Sequence, residues 1–455
     1  MSQTARDSEV DNRGDGRPAA GVVVVWSCET PRLLTLRVPP PGLVLGRESL
    51  AQTGDDRLSR QHVRIRWNGT RFQVADLGSR NGTFVGGSLV ADGEVTALPP
   101  VVVRTGRTIS MLVPDVQLFE SAAVVAEHGA IVGPTLRQAW DAVERAARGG
   151  RSLLLTGESG AGKELAARAF HRASGATGDL VAVNCAAIPA GVAERLLFGA
   201  KKGAYSGADR DADGYLAVAD NGTLFLDEVA ELDLQVQAKL LRVLETGELL
   251  PLGAARPRPV VLRVVAATLR DLRGEVQAGK FRDDLYFRIG RPEVRLPPLR
   301  ERFEDIAWLV AEATRGSGLP PHPSLVEACL LRPWPGNVRE LMGEVSRAAH
   351  AATEAARKVV RVEDLDGTAG RVLVPGELAT LPPISQRPKP AALPDHDAIL
   401  GALRDEAGNV TRAARRLGLH RNQLRRYVAK HADAADLTSA EPAEGDDESS
   451  PGTVG

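Results

Sequence analysis

Eight residues, GESGAGKE at 157–164, have types and spacing suited to binding phosphate. Gly157, Glu158, Ser159, Gly160, Ala161, Gly162, Lys163 and Glu164 follow the apolar residues Leu153, Leu154 and Leu155 and precede a helical stretch at 165–172. Glycines at this spacing let backbone N–H groups curl around phosphates. The lysine brings a cation to the outer phosphates, and the helix N-terminus adds its dipole. TLFLDE at 223–228 is a second signal, an apolar strand ending in two acids. At such a strand end Asp227 would hold Mg2+, directly or through water, and Glu228 would orient and polarise an attacking water. Together the two strings point to ATP hydrolysis with ATP and Mg2+ as ligands. One departure stands out: Glu164 occupies the position where a Ser or Thr hydroxyl usually serves magnesium.

These residues need a sheet to hold them. Apolar strands at 152–156, 180–184, 223–226 and 261–267 alternate with helical stretches at 165–172 and 235–244, the pattern of an α/β domain with a mostly parallel sheet. Before it, residues 21–120 carry short β-branched runs broken by Gly and Asn (GVVVVW, LLTLRV, HVRIRW, RFQVADL), an all-β pattern. After it, residues 300–366 are mainly helical, 367–394 form a Pro-rich linker, and 395–432 are helical again. Residues 1–20 and the acidic stretch 433–455 read as disordered. The 455 residues suggest roughly three domains. No apolar run approaches the roughly 20 residues that span a bilayer, and the polar N-terminus lacks a signal-peptide core, so a cytoplasmic protein without a membrane partner is expected. Cys28, Cys185 and Cys329 are too scattered for a disulfide framework or zinc site. The net charge of -1 requires any DNA contact to come from a local basic patch.

Beyond the phosphate loop and its acids, the strings VNCAAI, LLFGAKKGAYSGA, RVVAAT, FRDDLYFRI, LPPLRER and PWPGNVREL follow in order. With them, residues 129–366 resemble the AAA+ ATPase domain of bacterial enhancer-binding proteins, the activators of sigma-54 RNA polymerase. The resemblance implies that Asn184 restrains the catalytic glutamate until the γ-phosphate is sensed. It implies that Thr268 is a first sensor, with Leu269 where the family usually has Asn, and that Arg339, on the helical lid, is a second. Arg282 and Arg288 correspond to arginines presented to the neighbouring subunit's nucleotide, which implies a homo-hexamer or heptamer ring. GAYSGA, comprising Gly203, Ala204, Tyr205, Ser206, Gly207 and Ala208, resembles the loop GAFTGA that contacts sigma-54; an aromatic ring and a hydroxyl survive both substitutions.

The N-terminal β region contains Gly46-Arg47, Ser59-Arg60-Gln61-His62 and Ser79-Arg80-Asn81-Gly82-Thr83. It resembles the forkhead-associated (FHA) domain, an eleven-stranded sandwich that recognises phosphothreonine in another protein or in a neighbouring subunit. Arg47 and Ser59, with Arg60, Arg57 and Arg80 nearby, would bind the phosphate, Asn81 the peptide backbone, and His62 would tie loops together.

At the other end, residues 395–431 show helix-turn-helix spacing, with Ile399, Ala402 and Leu403 on one face and Ala413, Ala414 and Leu417 on the next. They resemble the Fis-type DNA-binding domain. Arg412, Arg415, Arg416, Arg421, Arg425, Arg426 and Lys430 outnumber the local acids Asp405 and Glu406 and supply a basic patch, and Asn422 and Gln423 are placed to read base edges in double-stranded DNA. The chain is thus expected to be a multidomain ATP-dependent activator that binds upstream DNA and remodels the sigma-54 RNA polymerase holoenzyme under phosphothreonine input. The alternative is a DNA-binding regulator that uses ATP for oligomerisation without remodelling sigma-54.

Overall fold

A computed structural model describes residues 18–372 apart from Asp92, Ala190, Ser206 and Gly207. It also describes residues 395–417 together with Leu424, Tyr427, Val428, His431 and Asp433. The chain divides into two compact units, residues 1–381 and 382–455.

The first unit opens with two antiparallel sheets. Six strands pair in the order Thr30–Arg37, Gly21–Ser27, Thr108–Val113, Val101–Thr105, Thr83–Val85 and Ser88–Leu89. Four more pair as Leu43–Leu45, Val63–Trp67, Phe72–Asp76 and Glu94–Ala97, making ten strands among the described residues. Val22, Val24, Leu45, Ile65, Phe72 and Leu112 fill the space between the sheets. An antiparallel strand with one wet face would alternate apolar and polar residues. Gly21–Ser27 is instead buried at every position. Its other face, Val23, Val25 and Trp26, lies in a second core with the helices that follow the parallel sheet described next.

That sheet has five parallel strands in the order Leu180–Asn184, Thr223–Asp227, Arg263–Thr268, Ser152–Thr156 and Glu293–Arg295. Strand side chains alternate between two cores. Leu153, Leu155, Phe225 and Val265 pack with the helices Pro134–Gly149 and Lys163–Ala173. Leu154, Leu224, Leu226 and Val264 pack with Leu234–Thr246 and Asp283–Ile289. Coverage on both faces explains why these strands read as unbroken apolar runs.

Three helices, Phe303–Arg315, Pro323–Leu330 and Asn337–Glu354, form the lid. Phe303, Ile306, Val310, Leu325, Val326 and Cys329 share one core with Val23, Val25, Trp26 and Met111 of the sandwich. The rings of Phe119 and Phe303 lie 5.2 Å apart. Arg104 of the sandwich pairs with Glu327 of the lid at 2.6 Å, with side chains only 21% and 9% exposed. The sandwich, the parallel sheet and the lid therefore pack together in one compact unit.

The second unit contains the helices His396–Asp405 and Val410–Arg416, packed around Ile399, Leu403, Ala413, Ala414 and Leu424. Asp395 caps the first, accepting the Ala398 N–H, and the Asn409 side chain accepts the Arg412 N–H at the start of the second.

Candidate nucleotide site and its accessory surfaces

The phosphate loop leaves the end of strand Ser152–Thr156, and Lys163 opens the next helix. Its ammonium group is buried, donating to the Gly157 carbonyl at 3.1 Å and pairing with Glu228 at 3.5 Å. Glu228 sits in the left-handed region at φ 53°. That conformation costs a side-chain-bearing residue about 1–3 kcal/mol and marks a functional position when neighbours hold it. Here the neighbours are Lys163 and the Leu269 N–H, which donates to the other Glu228 oxygen at 3.2 Å. Leu269 itself is 52% exposed, so this position contributes its backbone to the site. Burial pushes the Asp227 carboxyl above its ordinary range against the pull of Lys163, and the Glu228 charge adds to the rise. Lys163 pairs with Glu228 and acts on Asp227 through its charge, and a single carboxylate beside bound phosphates is a usual protein contribution to a Mg2+ site.

Asn184 lies beside Asp227 in the parallel register. Its side-chain oxygen accepts the Ala186 N–H at 3.0 Å, capping a short turn, while Glu228 is held by Lys163 and Leu269 instead. Thr268 ends its strand fully buried and accepts the Arg270 N–H. From the lid, Arg339 reaches Ser159 Oγ at 3.4 Å. The fit is close: a Cβ on Gly160 would stand 2.2 Å from the Gly336 carbonyl.

Arg282 and Arg288 lie elsewhere. Arg282 forms a two-pronged pair with Asp284, and Arg288 donates to the Leu244 carbonyl at 2.6 Å. Arg288 lines a cavity of about 410 Å3 with Arg151, Ser152 and Val264, at the starts of the strands. The phosphate loop follows the opposite end of Ser152–Thr156, roughly 13 Å along the sheet at about 3.3 Å per residue. Between the two arginines Phe287 is 75% exposed.

The 203–208 loop crowns the hairpin formed by Gly199–Ala200 and Ala212–Asp213. Tyr205 is 37% exposed with the Arg195 guanidinium 5.0 Å from its ring, and Ala208 is buried. Gly203 N–H donates to the Ala208 carbonyl, closing the loop's base. Ser206 and Gly207 lie outside the described residues. A second hairpin, Glu248–Leu249 with Arg258–Pro259, leads to Leu252, which exchanges backbone hydrogen bonds with Gly199 and Lys201.

In the sandwich, the 46–62 and 79–83 loops converge. His62 Nδ1 accepts the Ser59 N–H at 3.2 Å, and its Nε2 lies 3.2 Å from the Gly82 carbonyl, a pairing that joins the two loops. Ser59 Oγ accepts the Arg80 N–H, and the Asn81 amide donates to the Arg57 carbonyl at 2.7 Å. Arg47 is exposed and donates to the Leu58 and Asp56 carbonyls; Arg60 is exposed too. Asp76 organises the 79–83 turn. Burial alone would push its carboxyl up, but hydrogen bonds from Thr83 and Ser79 outweigh burial and hold it low. A Cβ on Gly46 would stand 1.9 Å from the Arg60 carbonyl, so only glycine fits there.

In the C-terminal unit Arg412 is exposed. Arg416 pairs with Asp405 at 3.0 Å and Glu406 at 3.6 Å, which spends part of the local positive charge. Arg421, Asn422, Gln423, Arg425 and Arg426 lie outside the described residues.

Three buried or loop-facing residues were not singled out from the sequence: Arg302 and Asn337, which reach the phosphate loop from the lid, and Glu327, which ties the lid to the sandwich. Arg302 and Asn337 lie inside the LPPLRER and PWPGNVREL strings, so the strings flagged their neighbourhood but not their roles.

A strand-borne phosphate loop, an acid pair on the adjoining part of a five-stranded parallel sheet and a helical lid over the loop define the AAA+ class. Residues 131–295 match the family model of the sigma-54 interaction domain, 43–111 that of the FHA domain, and 394–431 that of the bacterial regulatory protein, Fis family. The chain is 38% identical to the nitric oxide reductase transcription regulator NorR2 of Cupriavidus necator, over 77% of this chain and 73% of that protein. It is 38% identical to the DNA-binding transcriptional regulator NtrC of Salmonella typhimurium, over 65% and 68%. It is 39% identical to the Nif-specific regulatory protein of Azotobacter vinelandii, over 64% of this chain and 56% of that one. The chain belongs to the family of sigma-54-dependent transcriptional activators. It spans little more than half the length of the Azotobacter relative. Among the described residues, no helix is long and apolar enough to cross a membrane.

Proposed function

We infer that this chain hydrolyses ATP and uses the energy to remodel sigma-54 RNA polymerase at a promoter while its C-terminal helices hold upstream DNA. The observation that carries the reading is Glu228, held in a left-handed conformation between Lys163 and the Leu269 N–H beside Asp227. Lys163 and the loop N–H groups would bind the phosphates. Glu228 would release Lys163 to orient a water, and Asp227 would hold Mg2+, which supplies charge neutralisation on the phosphates. With Glu164 in place of a hydroxyl, Asp227 would be the chain's main contribution to that ion.

The arginines complete the site in trans. Arg288 lines a cavity at the far end of the sheet from its own phosphate loop, and the exposed Phe287 offers an apolar contact to a neighbour. Both features support a hexameric or heptameric ring in which Arg282 and Arg288 serve the next subunit's nucleotide. Tyr205, exposed in the segment that joins the hairpin strands, would meet sigma-54.

Phosphothreonine would enter through Arg47, Ser59, Arg60, Arg80 and Asn81. The sandwich shares a core with the lid, which supports a route from phosphopeptide binding to Arg339 at the phosphate loop. Transcription in vitro with sigma-54 or an alternative sigma factor tests the reading. ATP-dependent stimulation confined to sigma-54 is expected. Binding to DNA without any stimulation would favour a regulator that uses ATP only to assemble.

A further inference from the structure

Three successive carbonyls of the phosphate loop are held from the lid. Asn337 Nδ2 donates to the Ser159 carbonyl at 2.9 Å, Val338 N–H to the Gly160 carbonyl at 3.3 Å, and Arg302 Nη2 to the Ala161 carbonyl at 2.9 Å. Asn337 is fully buried and Arg302 is 2% exposed. Asn337 is fixed further by the Leu299 N–H, which donates to its Oδ1 at 2.7 Å. Arg302 is fixed by Asp305, 3.4 Å from its Nη1. Its Nε has no hydrogen-bond partner among the described residues.

The planar trans peptide turns these contacts into a statement about the opposite side of the loop. In each unit the C=O and the following N–H point in opposite directions. A carbonyl pulled toward the lid therefore turns the next N–H away from it. Holding Ser159 O sets the Gly160 N–H, and holding Ala161 O sets the Gly162 N–H. Among the described residues neither N–H has a partner within the protein. Both glycines have positive φ, +72° and +106°, and are therefore free to swing unless anchored.

We propose that Arg302 and Asn337 are positioning residues for nucleotide binding: they anchor alternate loop carbonyls so that the Gly160 and Gly162 N–H groups face the phosphates. The proposal rests on the nucleotide-binding reading above. It makes phosphate affinity a property set from the lid, by two side chains that never touch the ligand.

The test uses ADP titrations by calorimetry on the full chain, with apo thermal midpoints recorded alongside. Asn337→Gly keeps the left-handed backbone, which Asn337 adopts at φ 53°, and removes the anchor. Arg302→Met removes the other. Each is expected to weaken ADP binding about ten- to a hundredfold, the range for a lost hydrogen bond of this kind. Arg302→Lys, which keeps a charged donor, is expected to recover most of the affinity. Because Arg302→Met strands a buried carboxyl group, the double variant R302M/D305N serves as the control for folding. It is expected to regain apo stability while ADP affinity stays low. A double variant with wild-type affinity, or single variants with unchanged affinity, would overturn the proposal. If the wild-type chain itself failed to bind ADP, the nucleotide reading would fall instead.

Discussion

The two flanking regions of this chain are attached in opposite ways. The N-terminal sandwich buries Val23, Val25 and Trp26 in one core with Phe303, Ile306 and Leu325 of the ATPase lid. The C-terminal helices close a small core of their own around Ile399, Leu403 and Leu424, in a separate compact unit. A domain that shares a core cannot be removed without exposing apolar surface, whereas a unit that closes its own core can fold without the rest. The sandwich is thus built into the same core as the lid, and the C-terminal helices are not.

Truncation should give the largest effect. Removing residues 1–120 uncovers the lid's apolar face and is expected to yield aggregating, inactive protein, whereas removing 382–455 should leave soluble ATPase. Solubility and hydrolysis of the two truncations check this; a soluble, active chain lacking 1–120 would break the comparison. Next in size is Trp26→Ala, expected to destabilise the whole first unit by about 3–5 kcal/mol. Leu403→Ala should melt only the second unit, so denaturation followed separately in each region tells the two apart.

A smaller, pH-dependent effect belongs to the same interface. His322 precedes the lid helix Pro323–Leu330, and its Nδ1 accepts the Ser324 N–H. Burial pushes its imidazole down to about 4 from 6.5, and Arg361 together with Arg104 and Arg57 of the sandwich adds to the shift. The folded value lies below the unfolded one, so the unfolded chain takes up the extra proton. The contribution of His322 to stability is complete above about pH 6.5 and is lost as pH falls toward 4. Thermal midpoints at pH 7 and pH 5 should differ less in His322→Asn, which keeps a cap but not the titration. The smallest effect is expected at the DNA surface. Arg412→Ala should lower the salt dependence of DNA binding by about one phosphate contact. An unchanged salt slope would remove Arg412 from the interface.

The sequence made local chemistry legible and long-range packing hard to see. The phosphate loop, the TLFLDE strand and the sheet could be read because each is contiguous and the strand runs match a sheet covered on both faces. GVVVVW was read as one strand of a sandwich, but its unbroken apolarity also meant burial on both sides, and only the lid explains the second. Arg302 and Asn337 were invisible for a different reason: an isolated Arg or Asn does not announce that it reaches a loop well over a hundred residues away. Asn184 shows what one sequence position leaves open: its side-chain oxygen accepts the Ala186 N–H, while the contacts to Glu228 come from Lys163 and the Leu269 N–H.

If the 203–208 loop couples ATP hydrolysis to sigma-54, Tyr205→Ala separates the two activities. Hydrolysis and sigma-54 binding are measured on the same full-length protein, at concentrations where rings form. Near-normal hydrolysis with loss of sigma-54 binding and open-complex formation is expected. Loss of both activities together, or retention of both, would contradict it.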